Sequence, residues 1–162
     1  MGLGKTLTTL GAAAVLNLVP ATAQAGGHHN HVVLGVEANN QNAMAHGGYF
    51  YEIGGHVSLG VAAGLGKGFH GETVGAVEGL VAYHKTLTQA FGKNIFGVVE
   101  GGGGVEMVSD GVHGRHFAPV LKLTGLVGIQ VSEALGIFAG PNYMRTPGAN
   151  HFSGSVGAVL GF

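Results

Sequence analysis

The chain has 162 residues, of which only 9% are charged and 33 are glycine, and it contains no cysteine. Residues 26–162 carry six Lys or Arg and eight Asp or Glu, a net charge of −2 with histidine neutral. This excludes the basic surface of a nucleic-acid-binding protein, and the lack of cysteine excludes a disulfide scaffold.

So few charges are unfavourable on a water-exposed surface. Yet no stretch after residue 25 is a continuous apolar segment of the roughly 20 residues that a membrane helix requires. A membrane β-barrel satisfies both observations, because half of each strand faces lipid and needs no charge.

Residues 1–25 have the pattern of a secretory signal peptide. Lys5 precedes the apolar run 10–19, Pro20 follows it, and the small residues of Ala23-Gln24-Ala25 end the segment. A transmembrane helix is the alternative, but the apolar run is shorter than the roughly 20 residues that cross a bilayer. We therefore predict cleavage after Ala25 and one mature domain over residues 26–162.

Turn residues and alternating hydrophobicity divide the mature chain into eight β-strands. The predicted strands are 31–39, 44–53, 56–66, 71–84, 93–107, 114–131, 133–144 and 150–162. Connections 40–43, 67–70, 108–113 and 145–149 then lie outside, whereas Gly54-Gly55, 85–92 and Ser132-Glu133 lie in the periplasm with both termini. The predicted fold class is all-β, an eight-stranded antiparallel up-and-down transmembrane β-barrel.

Residue parity assigns one face of each strand to lipid and the other to the lumen. Strand 71–84 is ambiguous by hydrophobicity, and Glu78 decides its orientation because a carboxylate on the lipid side is costly. The outward aromatic residues then fall into two bands, as interfacial aromatics of membrane proteins do. One band holds Tyr51, Tyr83 and Phe162, and the other holds Phe69, Phe117, Tyr143 and Phe152.

The eight strands, the signal peptide and the C-terminal Phe162 resemble the small outer-membrane proteins of the OmpX/Ail and OmpA-barrel families. The resemblance implies a bacterial outer-membrane protein with both termini in the periplasm. A terminal aromatic such as Phe162 is similar to the signal that these barrels present to the barrel assembly machinery. The architecture does not select a function, and the outer connections are short compared with the long loops of adhesins.

Parity also sends ionisable side chains into the lumen, namely Glu37, Glu52, Glu72, Glu78, Glu100, Glu106 and Lys122. Glu78, Glu100 and Lys122 lie near the middle of sequential strands. We predict that they form one ion-pair network that plugs the barrel, since buried charges need partners. The alternative is a minor pore, because acids outnumber cations in the lumen and luminal glycines leave room for water.

Three of the ten histidines, His46, His116 and His151, map to the outer end and point inward by parity. Imidazole binds Zn(II), Cu(II) and Ni(II), so these residues are a candidate metal-capturing ring. The alternative is that they supply polarity without permanent charge. His56 and His84 lie close to each other at the opposite end.

Cleavage after Ala25 exposes Gly26, Gly27 and His28 as the new amino terminus. A free amine, two backbone nitrogens and a third-position imidazole form a planar four-nitrogen site, which selects Cu(II) or Ni(II). His29 and His31 are reserve ligands nearby. The alternative is a flexible tail ahead of the first strand. No motif indicates that the chain requires a cofactor.

Lys67, Arg115 and Arg145 face outward at the outer rim, where we expect contacts with lipid phosphates, including those of lipopolysaccharide. Ordinary snorkelling of cations is the compatible alternative.

The tripeptide His151-Phe152-Ser153 resembles the His-x-Ser of outer-membrane lipid A deacylases. However, His151 and Ser153 face the lumen, and no acid follows to orient the histidine. We therefore predict a non-enzymatic outer-membrane barrel with a structural or surface-interaction role. The alternatives are a minor pore or a metal-binding or uptake barrel, followed by a lipid A-modifying hydrolase.

Overall fold

Eight antiparallel β-strands close into a barrel in which each strand pairs with its neighbours in the chain and the last pairs with the first. The computed structural model describes residues 30–109 and 114–161, so the predicted signal peptide and Phe162 lie outside the described residues. The strands are β1 (Asn30–Ala38), β2 (Asn42–Gly54), β3 (Val57–Gly68), β4 (Thr73–Ala90), β5 (Lys93–Ser109), β6 (Arg115–Ser132), β7 (Leu135–Thr146) and β8 (Ala149–Leu160). The predicted eight-stranded architecture is confirmed.

The two ends of the barrel differ in what they contain. The hairpins β1–β2, β3–β4, β5–β6 and β7–β8 turn at one end, which we call the loop end. The beginning of β1, the end of β8 and the other three hairpins lie at the opposite end of the barrel, which we call the terminal end. Within residues 30–109 and 114–161 no helix is long and apolar enough to cross a membrane.

The largest departure from the predicted strands is in β4, which continues to Ala90 instead of ending at residue 84. The predicted connection 85–92 is reduced to the turn Phe91-Gly92, in which both residues have positive φ (53° and 70°). Such a two-residue turn matches the twist of a tight hairpin. A bulge between Thr86 and Thr88 shifts the register there. The shift breaks the period-2 pattern, which is why alternation alone ends the strand too early.

The outer wall of the barrel is apolar. Val61, Val77 and Leu121 are 62%, 64% and 64% exposed, and further large apolar side chains surround them on every strand. The luminal face of β4 holds buried Val74, Ala76, Glu78 and Leu80, so the orientation inferred from Glu78 is confirmed. The apolar outer wall distinguishes this barrel from a water-soluble one, whose outer surface is mainly polar.

The lumen is filled by rings that lie over glycines of the neighbouring strand. Phe50 opposes Gly60, Phe96 opposes Gly128, and Phe138 opposes Gly157. At each of these glycines an added Cβ would overlap the opposing ring, so no larger residue fits beneath it. The expectation that luminal glycines leave room for water is therefore wrong at Gly60 and Gly128, because aromatic side chains occupy the space that these glycines release.

Two prolines lie within the strands, where a closed barrel needs every ladder donor. Pro119 lies opposite β5 in the β5–β6 ladder. On its other side, β6 begins to pair with β7 only at Leu121, so Pro119 lies outside the β6–β7 ladder. Pro141 lies where the β6–β7 pairing is interrupted, between Asn142 and Ala139. Each proline is thus accommodated where one ladder has ended or is broken.

Candidate functional site

A buried lysine forms ion pairs across the middle of the lumen. Lys122 Nζ of β6 lies 2.7 Å from Glu37 Oε2 of β1 and 3.4 Å from Glu78 Oε2 of β4. All three residues are buried, with exposures of 8%, 3% and 4% respectively. Because β1, β4 and β6 are not adjacent in the sheet, these contacts span the lumen. We call Glu37, Glu78 and Lys122 the plug.

Polar side chains of β7 and β8 extend the plug. The Ser153 hydroxyl donates to Glu37 Oε1 at 2.6 Å, and Asn142 Nδ2 donates to Ser155 Oγ at 2.6 Å and to Ser153 Oγ at 3.2 Å. Both oxygens of Glu37 thus accept a hydrogen bond. The buried carboxylate is held by a cation and a hydroxyl together, as a charge removed from water requires.

The predicted network contained Glu78, Glu100 and Lys122 and omitted Glu37. The structure brings Glu78 and Lys122 together, whereas Glu100 lines the same small cavity with no hydrogen bond to either among the described residues. Glu100 opposes Thr124, and Lys122 opposes Gly102 and extends away from β5 to the far wall. Parity placed Glu37 in the lumen, but which inward residues meet across it depends on strand tilt and stagger.

The predicted metal-binding ring of three histidines does not form. His46 lies in mid-lumen with its ring over Gly35, where it lines the cavity that contains Lys122. His116 is exposed at the start of β6, and His151 lines a separate cavity at the loop end. The three histidines share no cavity, and the groups of potential metal ligands found within the described residues include none of them.

A different cluster occupies the terminal end of the lumen. His31 of β1, Glu52 of β2 and His84 of β4 each offer one ligand atom, and these atoms all lie within 4.8 Å of one another. The His31 and His84 ring centroids are 5.5 Å apart, and the His56 centroid is 5.7 Å from that of His84. We call His31, Glu52 and His84 the mouth cluster. The sequence interpretation paired His84 with His56 alone and missed the other two members.

The free space in the lumen is distributed over several cavities of different size. A loop-end cavity of about 400 Å³ is lined in part by Glu72, Glu106 and His151. Beside the plug the space is about 20 Å³, which holds about one water molecule. An apolar cavity of about 50 Å³ lies between the plug and the mouth cluster. The loop-end cavity, which we call the vestibule, is therefore much wider than the space beside Lys122.

The three predicted rim cations all lie exposed at the loop end. Lys67 is the second-to-last residue of β3 and donates from Nζ to Thr73 Oγ1 at 2.8 Å. Arg115 begins β6, and Arg145 lies near the end of β7. The predicted amino-terminal site, Gly26-Gly27-His28, lies outside the described residues.

The His-x-Ser tripeptide has no hydrolytic geometry in this fold. Ser153 donates its hydroxyl proton to Glu37 and accepts from Asn142, and no hydrogen bond joins it to His151 among the described residues. A serine nucleophile needs its hydroxyl hydrogen-bonded to a base that is itself oriented by a third group. Ser153 instead belongs to the luminal hydrogen-bond network.

No family model matches the chain. No curated protein matches it either. Solved structures are similar in fold alone, at low identity. The N-terminal barrel domain of Pseudomonas aeruginosa OprF aligns with a TM-score of 0.63 at 11% identity, over 83% of this chain and 97% of that one. Neisserial surface protein A aligns with a TM-score of 0.54 at 13% identity, over 83% and 96%. The Yersinia pestis outer membrane protein Ail, in a phospholipid bilayer nanodisc, aligns with a TM-score of 0.54 at 10% identity, over 84% and 100%.

Proposed function

We propose that this chain is a non-enzymatic β-barrel of the bacterial outer membrane, with a closed lumen and a structural or surface-interaction role. The observation that carries the proposal is the combination of an apolar outer wall with a lumen blocked by buried ion pairs.

The closed and apolar wall of the barrel supports insertion into a membrane. A closed barrel satisfies all of its backbone hydrogen bonds internally, which is the condition for a strand to cross hydrocarbon. Outward side chains such as Leu65 (55% exposed) and Val127 (57% exposed) would lie against water in any other setting. The fold similarity to Ail and to the OprF barrel supports the same location.

In the orientation usual for bacterial barrels, the terminal end faces the periplasm and the loop end faces outward. Lys67, Arg115 and Arg145 then lie at the level of the outer-leaflet headgroups, beside exposed Phe117 and Phe152. This combination suits the phosphates and acyl chains of lipopolysaccharide. The terminal Phe162 is proposed to be read by the barrel assembly machinery.

The narrow lumen favours a surface-interaction role over transport of a solute through a channel. The space beside Lys122 holds about one water, and the Lys122 ion pairs span the lumen at this height, which favours a closed lumen over an open channel. With short outer turns, the rim and the wall are the surfaces available for interaction.

Planar-bilayer recording tests the closed lumen, with a general porin in the same bilayer as the positive control. We expect no resolved conductance from the folded chain. Single-channel steps that increase with salt concentration would overturn the closed lumen in favour of the minor pore. Membrane fractionation of cells expressing the chain tests the location, which fails if the mature chain is recovered as a soluble periplasmic protein.

A further inference from the structure

The strand register explains why the mouth cluster forms. On the inward face of the sheet His31 opposes Phe50, and Glu52 follows two residues later, so Glu52 is the diagonal neighbour of His31. Ser58 of β3 opposes Glu52 and is a small, buried residue. This small side chain leaves space over β3 in which Glu52 and His84 of β4 approach each other.

Glu52 does not share the lysine that compensates the carboxylates at mid-height. Lys122 pairs with Glu37 and Glu78 at mid-height, and the described residues place no Lys or Arg in ion-pair contact with Glu52. The cavity next to the cluster is lined mainly by apolar side chains, among them Val33, Phe50 and Phe96. A carboxylate beside an apolar cavity is stabilised by a bound cation more strongly than one in open water.

The donor set is typical of transition-metal ions. Two imidazoles and one carboxylate are the protein ligands of many open zinc sites, in which water or a substrate takes the fourth position. With metal–ligand bonds of 2.0–2.2 Å, tetrahedral donors are about 3.3–3.6 Å apart, so ligand atoms that lie within 4.8 Å of one another need only small side-chain rotations to bind one ion. His56 is exposed and lies beside His84.

We propose that His31, Glu52 and His84 bind one divalent transition-metal ion, of the Zn(II) type, at the terminal end of the lumen. The ion joins β1 and β2 to β4, so it ties the first strand of the barrel to a strand with which β1 does not pair in the sheet. Because the unfolded chain has no such site, bound metal stabilises the folded barrel by mass action.

The test is a calorimetric Zn(II) titration of the full mature chain, refolded in detergent micelles and freed of metal with a chelator. The His28→Ala variant is titrated in parallel so that the amino-terminal site does not contribute. We expect about one Zn(II) per chain in both proteins, and a higher thermal unfolding midpoint with Zn(II) than without. Glu52→Gln and His84→Ala should weaken binding at least tenfold, whereas the exposed His116→Ala should bind as the wild type does.

Glu52→Gln preserves the shape of the side chain, and its circular dichroism spectrum reports whether the barrel has folded. If His31→Ala fails to fold because His31 is buried, Glu52→Gln and His84→Ala still decide the outcome. Unchanged Zn(II) affinity in both variants would overturn the site. Loss of all Zn(II) binding in His28→Ala would do so as well, by placing the metal at the amino terminus.

Discussion

Ser153 of β8 donates a 2.6 Å hydrogen bond to Glu37 of β1, across the seam at which the last strand pairs with the first. The other oxygen of the same carboxylate accepts from Lys122 of β6. One buried side chain of β1 therefore holds both the seam and the opposite wall. Changes at Ser153 and at Lys122 test these two roles separately.

Ser153→Ala should lower the free energy of unfolding by about 1.5–3 kcal/mol, the usual contribution of a hydrogen bond to a charged group. Urea unfolding followed by circular dichroism measures the change, with the exposed Ser132→Ala as the matched control. Equal stability of the two variants would show that the seam bond contributes nothing. Loss of a lipid A deacylase activity in Ser153→Ala would instead support the hydrolase alternative.

Lys122→Met should be more damaging, because it leaves Glu37 and Glu78 buried without their cation. Breaking a buried pair in this way costs about 3–5 kcal/mol. The same urea titration measures it, and Lys67→Met at the exposed rim is the control. The triple change Lys122→Met, Glu37→Gln and Glu78→Gln should recover part of the loss, since it removes the unpaired charges. A decrease as small as that of Lys67→Met would contradict the plug.

Gly60→Ala should destabilise the barrel by about 1–3 kcal/mol, because the new methyl group overlaps the Phe50 ring and overpacks the lumen. Gly79→Ala is the matched control. It is also a strand glycine, but the nearest atom to its added Cβ is the Gly103 carbonyl oxygen at 3.9 Å. If both variants unfold at the same urea concentration, the ring does not need the glycine beneath it.

The amino-terminal site is a prediction from the sequence alone. Cu(II) added to the mature chain should produce a visible d–d band of planar nitrogen coordination at Gly26-Gly27-His28. His28→Ala, or chain that retains residues 1–25, should lack this band. A band that survives in either protein would locate the copper elsewhere.

Phe162→Ala should reduce insertion into the outer membrane of cells while leaving refolding in detergent nearly unchanged, because the assembly signal acts only in the cell. Quantitative blotting of membrane fractions compares the amounts of the wild-type protein and of Phe162→Ala in the outer membrane. Equal insertion would remove Phe162 from the signal.

The faces of the strands were predictable because parity is a local property. Glu78 alone orients β4, and the structure buries it. Glu78 was a predicted partner of Lys122, but the second partner, Glu37, was not predictable in the same way. Glu37 is 85 residues away in the chain, and the two meet because tilt and stagger bring particular inward positions of β1 and β6 to the same height. The local sequence pattern does not indicate at which height in the lumen an inward residue lies.

The same dependence on strand tilt and stagger explains why the predicted ring of histidines does not form. His46, His116 and His151 share an end of the barrel when residues are counted from the turns, but the structure separates them. His31 and Glu52 were both recognised, one as a reserve ligand for the amino terminus and the other as a luminal acid. The sequence pattern did not indicate that they meet His84, since that contact passes over the small Ser58 of β3.

The pairing of rings with glycines affects the order in which the barrel can assemble. Phe50–Gly60, Phe96–Gly128 and Phe138–Gly157 each lie within a single hairpin, so each hairpin forms part of its own filling before it joins the others. Contacts that are local in the chain form early, because little loop entropy is lost in making them. Glu37 can reach Lys122 and Ser153 only once the first and last strands meet. We therefore expect the hairpin pairs to govern the rate of assembly and the plug to govern how slowly the closed barrel reopens.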